Sequence, residues 1–307
     1  MSISKKKKQS QFKKAFWPPW KILLKFHCLW SDRSYLEYMY RHKMNKKVVL
    51  ANDNSDLSLY TEKVQWLKLY DRQPEHTDMV DKYNVRKFIA QTIGEEYLIP
   101  NYGVWDKFDD IPFDSLPDQF VLKCTHDSAS RVLCKDKKNF NIEKARKHFN
   151  KCLSRNYFWR SRQWAYKNIK PRIIAEEFMK DKSSDDLMDY KIFCFDGEPK
   201  VIQVDFDRFT SHKVNFYSTE WEFLPVKIQK YANDPAAAIK KPDCLEQLLF
   251  LARKLSSGKI HMRVDLYVIN EKIYFGELTF YPDGGFGSFD KPEWDIMFGN
   301  WLALPNS

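Results

Sequence analysis

Arg263, Asp265, Glu277 and Thr279 are the residues of this chain whose types and spacing could most directly do chemistry. The first two lie in the run Arg263-Val264-Asp265-Leu266-Tyr267-Val268-Ile269. The other two lie in Lys272-Ile273-Tyr274-Phe275-Gly276-Glu277-Leu278-Thr279, and a short turn joins the runs. Each run reads as a strand, with Arg263, Asp265 and Tyr267 on one face and Val264, Leu266 and Val268 on the other. A three-residue loop (Asn270, Glu271, Lys272) pairs Ile269 with Ile273, and so sets Asp265 opposite Glu277 and Arg263 opposite Thr279. A two-residue Asn-Glu loop would instead put Asp265 opposite Gly276, so the reading needs the odd loop. Like charges directly opposite one another destabilise a strand pair. A hard cation between them reverses that, and carboxylate oxygens suit Mg²⁺. The other reading is a solvated strand face whose acids are neutralised by nearby lysines. The glycine-rich turn Pro282-Asp283-Gly284-Gly285-Phe286-Gly287 favours the metal, because the whole chain has only nine glycines.

The elements that must position these residues follow from apolar periodicity and turn signals. Helices are expected over 32–47, over 61–71 with Thr61 as N-cap, and from Thr77 to about Ile93 with Gly94 as the stop. Phe120-Val121-Leu122-Lys123-Cys124 is a compact strand that enters the polar loop Thr125–Ser130, with Arg131–Cys134 as its return. A helix capped by Asn141 covers 141–157. Arg172–Ala175 leads to Glu176-Glu177-Phe178-Met179, and residues 189–206 make two strands about the Asp196-Gly197 turn. A further hairpin spans Val214–Tyr217 and Trp221–Leu224, and a helix runs from Leu245 to Leu255. Strands and helices mix without strict alternation, which favours an α+β fold.

At 307 residues, 43% hydrophobic and 16% aromatic, this is a packed globular chain. Its six cysteines show no CxxC pair or metal spacing, so they read as reduced thiols of a cytosolic protein, without zinc. The net charge of +10 is unevenly placed: residues 1–47 hold thirteen Lys/Arg against two acids. In residues 1–30 the lysines interleave with Phe16, Trp17, Trp20, Phe26 and Trp30. No stretch has the uninterrupted apolar length of a membrane span or the form of a signal peptide. Such a segment suits peripheral contact with an anionic membrane face, or else it is a solvated tail leading into a core-packed helix. No zinc-finger or RNA-binding motif supports a nucleic-acid partner.

The order of parts resembles the ATP-grasp superfamily, which includes the D-alanine–D-alanine ligases. More closely it resembles the TupA-like branch, named for teichuronopeptide biosynthesis. Asp81-Lys82-Tyr83-Asn84-Val85-Arg86, Glu95-Glu96-Tyr97-Leu98-Ile99-Pro100 and Asp207-Arg208-Phe209 add to the likeness, which covers roughly residues 76–290. The resemblance implies two α+β subdomains gripping ATP: 119–180 with the phosphate loop and adenine hinge, and 181–307 with the metal site. A helical lobe (48–118) and the basic segment 1–47 precede them.

For the site it implies that Lys123 meets a phosphate, and that the loop of His126, Ser128 and Ser130 covers the phosphates. Glu176, Glu177, Phe178 and Met179 would read the adenine, and Asp189 the ribose. Asp265 and Glu277 would hold Mg²⁺, with Thr279 where asparagine is usual. Arg263, Lys191 and Arg208 would neutralise charge on the transferring phosphoryl group. Asp127 and Ala129 stand where this loop usually has glycine. The residues themselves leave other readings open: Lys123 as a surface lysine, His126 as a turn residue, and Asp205 with Asp207 as ordinary polar strand positions.

The implied activity is ATP- and Mg²⁺-dependent joining of a carboxylate to an amine through an acyl phosphate. Family context suggests a lipid-linked or nucleotide-linked sugar of a bacterial envelope polysaccharide as substrate, handled in the cytoplasm or on the inner membrane face. The rival classes are an ATP-dependent kinase or sugar-modifying transferase, and a non-catalytic assembly protein that keeps the fold.

Overall fold

The computed structural model describes residues 29–182, 187–207, 210–228, 230–237 and 239–305. Two expectations fall outside the described residues: membrane contact through the basic segment, nearly all of it, and the role of Arg208. Among the described residues no helix is long and apolar enough to cross a membrane.

Helix α1 (Asp32–Met44) begins at Ser31, whose hydroxyl accepts the Ser34 N–H. Helix α2 spans Tyr60–Tyr70, and its N-cap is Leu59 rather than Thr61. Glu62 does the capping by accepting the backbone N–H of Leu59. Thr61 is committed elsewhere: its backbone N–H and hydroxyl both donate to Asp295, at 2.9 and 2.8 Å. The helix expected from Thr77 to Ile93 is two helices, α3 (Glu75–Val80) and α4 (Val85–Thr92). The break is at Asp81, whose carboxylate accepts the N–H groups of Tyr83 and Asn84 and so competes with the helical ladder.

Strands β1 (Asn101–Trp105), β2 (Phe120–Cys124) and β3 (Val132–Cys134) lead to helix α5 (Ile142–Leu153), capped by Asn141 as expected. Strand β4 is Ile173–Glu177, and these four strands form one antiparallel sheet in the order β1-β4-β2-β3. The segment read as a helical lobe therefore donates a strand, β1, to the first sheet. Next come β5 (Asp189–Phe195), β6 (Glu198–Phe206), β7 (Lys213–Tyr217), β8 (Phe223–Leu224), α6 (Leu245–Ser256), β9 (His261–Ile269) and β10 (Lys272–Thr279). They build a second antiparallel sheet in the order β10-β9-β5-β6-β7-β8. Helix α7 (Pro292–Trp301) closes the fold and has no counterpart among the sequence-based expectations.

Strand alternation assigns the faces. In the first sheet Phe120, Leu122, Cys124, Ile173 and Ala175 pack on Ala145, Phe149 and Cys152 of α5 in a core of their own. Val121, Lys123, Ile174 and Glu176 alternate with them and take the opposite face. In the second sheet Tyr190, Ile192, Cys194, Met262, Val264 and Leu266 pack with α6 in a separate, larger core. The opposite face changes character along its length. Phe193, Phe195 and His261 are covered by Phe298 and Trp301 of α7 and by Tyr60. Lys191, Arg263 and Asp265 lie beyond that cover.

Helix α7 is held close by Lys63, whose ammonium donates to the carbonyls of Gly299 and Leu302, each at 2.9 Å. Gly299 allows the approach: a Cβ there would stand 2.1 Å from the Ser58 carbonyl oxygen and 2.8 Å from the Tyr60 nitrogen. Both neighbours are backbone and cannot move aside cheaply. Gly299→Ala is therefore expected to destabilise the protein by about 3 kcal/mol or more, read from the denaturation midpoint in urea.

His261 is a core residue. Its Nδ1–H donates to the Phe280 carbonyl (3.1 Å) while Nε2 accepts the Tyr60 hydroxyl (3.3 Å), an arrangement that needs the neutral ring. Burial pulls its pKa from 6.5 down to about 4. The unfolded chain takes up this proton near the ordinary value and the folded chain only near the lowered one. Stability thus falls as pH drops through that window and levels off below it, by about 3 kcal/mol in total. Urea titrations from neutral pH to pH 4 should show the loss in the parent protein and a flatter profile in His261→Asn.

Candidate active site

The β9–β10 hairpin brings the chemistry together by a route the sequence did not disclose. Its loop has two residues, Asn270 and Glu271, both with left-handed backbone (φ 50° and 66°), so Lys272 pairs with Ile269. Taken alone, that register would set Asp265 opposite Gly276. A bulge between Phe275 and Glu277 skips Gly276 and restores Glu277 opposite Asp265 and Thr279 opposite Arg263. The expected partners are correct, and the expected three-residue loop is replaced by a tight turn plus a bulge. Gly276 suits the bulge because a Cβ there would lie 2.9 Å from the Asp265 carbonyl oxygen.

Arg263 occupies the space between the opposed acids. Its Nε and a terminal nitrogen each donate to Asp265 at 2.7 Å, and the same terminal nitrogen reaches Glu277 (3.2 Å) and the Thr279 hydroxyl (3.3 Å). On the neighbouring strand β5, Lys191 pairs with Asp189, with Asp205 at 3.3 Å and with Asp265 at 3.9 Å. Asp205 also accepts from Gln203 (2.6 Å) and meets His212 Nε2 at 3.1 Å. Burial acts against the Lys191 charge, yet Asp189, Asp265 and Asp205 together hold its pKa above the ordinary value. Burial pushes the Asp265 carboxyl up, against the pull of Arg263 and Lys191. Burial would also raise Glu277, but Lys82, Arg263, Lys191 and Lys123 outweigh it and hold the carboxyl below its usual range.

Lys82 and Lys123 come from the other side of a narrow cleft. It is lined by Lys82, Arg86, Leu98, Ile99, Lys123 and Glu176 and, from the second sheet, by Phe275 and Gly276. Lys123 extends from β2 to pair with Glu176 on β4, so these two residues hold each other in place. Glu177 is exposed at the strand end, and Phe178 and Met179 follow half-buried. Lys82 stands in the break between α3 and α4, with its backbone N–H on the Thr125 carbonyl and its ammonium on the Asp127 carbonyl. Asp81 bonds Arg172 (3.1 Å) and the Thr125 hydroxyl (3.3 Å) and fixes that corner. Sequence reasoning quoted the 81–86 motif without giving Lys82 or Arg86 a role. The signal was there in two cations beside a helix-breaking aspartate.

The loop Thr125–Ser130 does not present all its expected residues in the same way. Ser128 is exposed at the tip and meets the hydroxyl of Tyr157. Ser130 is buried, accepts the Cys124 N–H at 2.8 Å and donates to the Asp127 carboxylate at 2.5 Å. Asp127 is thereby turned into the loop, which removes the repulsion its charge would exert on a phosphate. His126 is buried with Nε2 on the Cys152 carbonyl (3.2 Å), so its ring serves the core beneath the loop. Ala129 has φ 73°, the left-handed backbone for which glycine is the usual residue. Asp189 is buried against Lys191, which makes it part of the charged network.

The donor set suits one Mg²⁺. Asp265 and Glu277 are hard oxygen donors on adjacent strands, and both hydrogen bonds described for Glu277 fall on a single oxygen, Oε1. Thr279 adds a hydroxyl in place of a third carboxylate or amide. A cation shared by both acids has to displace Arg263 from Asp265.

A four-stranded and a six-stranded antiparallel sheet closing on a cationic cleft make this an ATP-grasp protein, the α+β architecture its motifs lead one to expect. The chain belongs to the TupA-like ATP-grasp family, whose model matches residues 62–303. No curated protein matches it. Among solved structures it is similar to D-alanine–D-alanine ligase from Helicobacter pylori, with 14% identity, 80% of this chain and 69% of that one covered, and a TM-score of 0.43. It is also similar to N5-carboxyaminoimidazole synthetase from Staphylococcus aureus (14%, 79% and 59%, TM-score 0.42). A third is the ATP complex of D-alanine–D-alanine ligase from Bacillus anthracis (13%, 71% and 55%, TM-score 0.39). The chain thus spans little more than half the length of the last two. Likenesses this low say nothing of what this chain acts on.

Arg263→Met removes the cation from between two carboxylates. It should lower stability by about 3 kcal/mol, the lower end for breaking a buried ion pair, because the Glu277 side chain keeps 38% of its surface exposed. Added Mg²⁺ should recover part of the loss, which thermal unfolding with and without the ion will show.

Proposed function

We propose that this protein is an ATP- and Mg²⁺-dependent ligase that joins a carboxylate to an amine. The observation that carries the reading is the pair of opposed carboxylates, Asp265 and Glu277, at a cleft whose two walls supply Lys82, Lys123, Arg263 and Lys191. Bound Mg²⁺, held by Asp265 and Glu277 with the Thr279 hydroxyl alongside, would screen phosphate charge. The chain's own groups do the rest. Lys123 and Lys82 hold the polyphosphate, with Ser128 and the backbone N–H groups of its loop above it. The end of β4, Glu176 to Met179, borders the base.

Arg263, once drawn off Asp265, and Lys191 would neutralise charge as the substrate carboxylate takes the γ-phosphoryl group. The barrier of that step is largely charge repulsion. The amine then attacks the acyl phosphate and expels phosphate. Arg208 belongs with these cations by the family pattern, and Asp189 acts on the ribose through its place beside Lys191.

The family's association with envelope polysaccharide supports a sugar acid, lipid-linked or nucleotide-linked, as one substrate. The basic aromatic segment 1–30 would dock on the inner face of an anionic membrane.

Calorimetry of ATP and ADP binding, with and without Mg²⁺, tests the reading on the full chain and on Asp265→Asn. Binding should depend on Mg²⁺ in the parent and weaken by about 100-fold or more in the variant, since losing a direct carboxylate ligand costs at least as much as the upper end of an outer-shell change. Carboxylate and amine pairs are then screened for ADP release. Equal binding with and without Mg²⁺ overturns the metal assignment, and no binding to either protein favours the non-catalytic assembly role.

A further inference from the structure

Beneath the phosphate loop lies a second group of metal-capable side chains that the ligase reading does not use. Cys124 ends β2, Asp127 follows in the loop, and Cys152 sits in the last turn of α5. All three are buried, and one ligand atom from each lies within 4.8 Å of the others. His148, one helical turn before Cys152, brings Nε2 to 3.7 Å from the Cys152 sulfur. The same nitrogen lies 3.0 Å from the Ser130 carbonyl. In sequence the cysteines look scattered. The fold assembles a set from a strand end, a loop and an i, i+4 pair on one helix face.

The set comprises two sulfurs, one carboxylate and one imidazole, which is the donor chemistry of a borderline-soft divalent cation rather than of Mg²⁺. Tetrahedral zinc, with bonds of about 2.3 Å to sulfur and 2.0–2.2 Å to nitrogen or oxygen, holds its ligand atoms about 3.5 Å apart. Cys124, Asp127 and Cys152 need to close from within 4.8 Å to that value, and His148 already stands 3.7 Å from the Cys152 sulfur, on the side where a fourth ligand would come from. Asp127 has no ion pair among the described residues, and the hydrogen bond to its buried carboxylate comes from Ser130.

We propose that Cys124, Asp127, Cys152 and His148 form a closed zinc site that fastens the phosphate loop to β2 and α5. Binding releases the two thiol protons to solvent and leaves every oxidation state unchanged.

The reduced full chain is dialysed against Zn²⁺ in excess Mg²⁺, which keeps Asp265 and Glu277 engaged, and its zinc content is measured. Co²⁺ is then substituted and its absorption recorded. One zinc per chain is expected, with a tetrahedral cobalt spectrum carrying a thiolate charge-transfer band. Both should vanish in Cys152→Ser. In His148→Ala, which keeps both thiols and the carboxylate, zinc affinity should fall by about tenfold or more. Asp265→Asn and Cys244→Ser should retain zinc. The proposal is overturned if the reduced protein holds no zinc, or if cobalt shows no thiolate band. It is equally overturned if Cys152→Ser and His148→Ala both bind zinc as the parent does, or if Cys124 and Cys152 form a disulfide in air while the reduced form ignores zinc.

Discussion

A guanidinium held between two facing carboxylates is the interaction on which the rest of the site depends. Asp265 and Glu277 are directly opposite on adjacent strands, and without a cation they would force the hairpin apart. Arg263 reaches both, and its bidentate grip occupies both oxygens of Asp265. The arrangement is self-sufficient as a fold element and primed as a site. Any divalent ion entering has to compete with an arginine that is already part of the chain, and an arginine displaced there becomes a free positive charge beside the ion. Lys191 extends the principle to the next strand, where one ammonium serves Asp189, Asp205 and Asp265.

Positioning is shared between two sheets with different duties. The second sheet carries the acids and the arginine, rigidly, on strands covered at one end by α7. The first sheet and the α3–α4 break carry lysines, and a loop held together by its own side chains. Asp127, Ser130 and the Lys82 ammonium close that loop on itself. The aspartate that looked like a liability beside a triphosphate is therefore a structural brace.

Much of this was legible in the sequence, and the misses have physical causes. Alternation along 263–269 and 272–279 gave both strands and their charged face. Pattern alone could not distinguish a three-residue loop from a tight turn followed by a bulge, because both carry the same parity to Glu277. The apolar stripe of 77–93 survives in two pieces because Asp81 offers the backbone a local alternative that periodicity does not register. Thr61 looks like a cap, but its partner, Asp295, is a tertiary contact from a helix far along the chain. Lys82 and His212 share the same difficulty: their roles depend on which surfaces meet, and only the fold supplies that. Among the expected site residues, Lys123 and Glu176 face the cleft and Arg263, Asp265, Glu277 and Thr279 cluster on the hairpin, while His126 and Ser130 face inward and Arg208 lies outside the described residues.

The two apolar cores have a consequence for how the molecule comes apart. Phe120, Leu122, Ile173, Ala175 and Phe149 form one, while the second sheet, α6, α7 and the N-terminal helices share the other. Separate cores are separate cooperative units, each able to open at its own free energy. A ligand bound in the cleft would touch both, so its binding energy is spent partly on making two folding units behave as one. In the ligand-free protein the grip is a property of each half. With nucleotide between them it becomes a property of the whole.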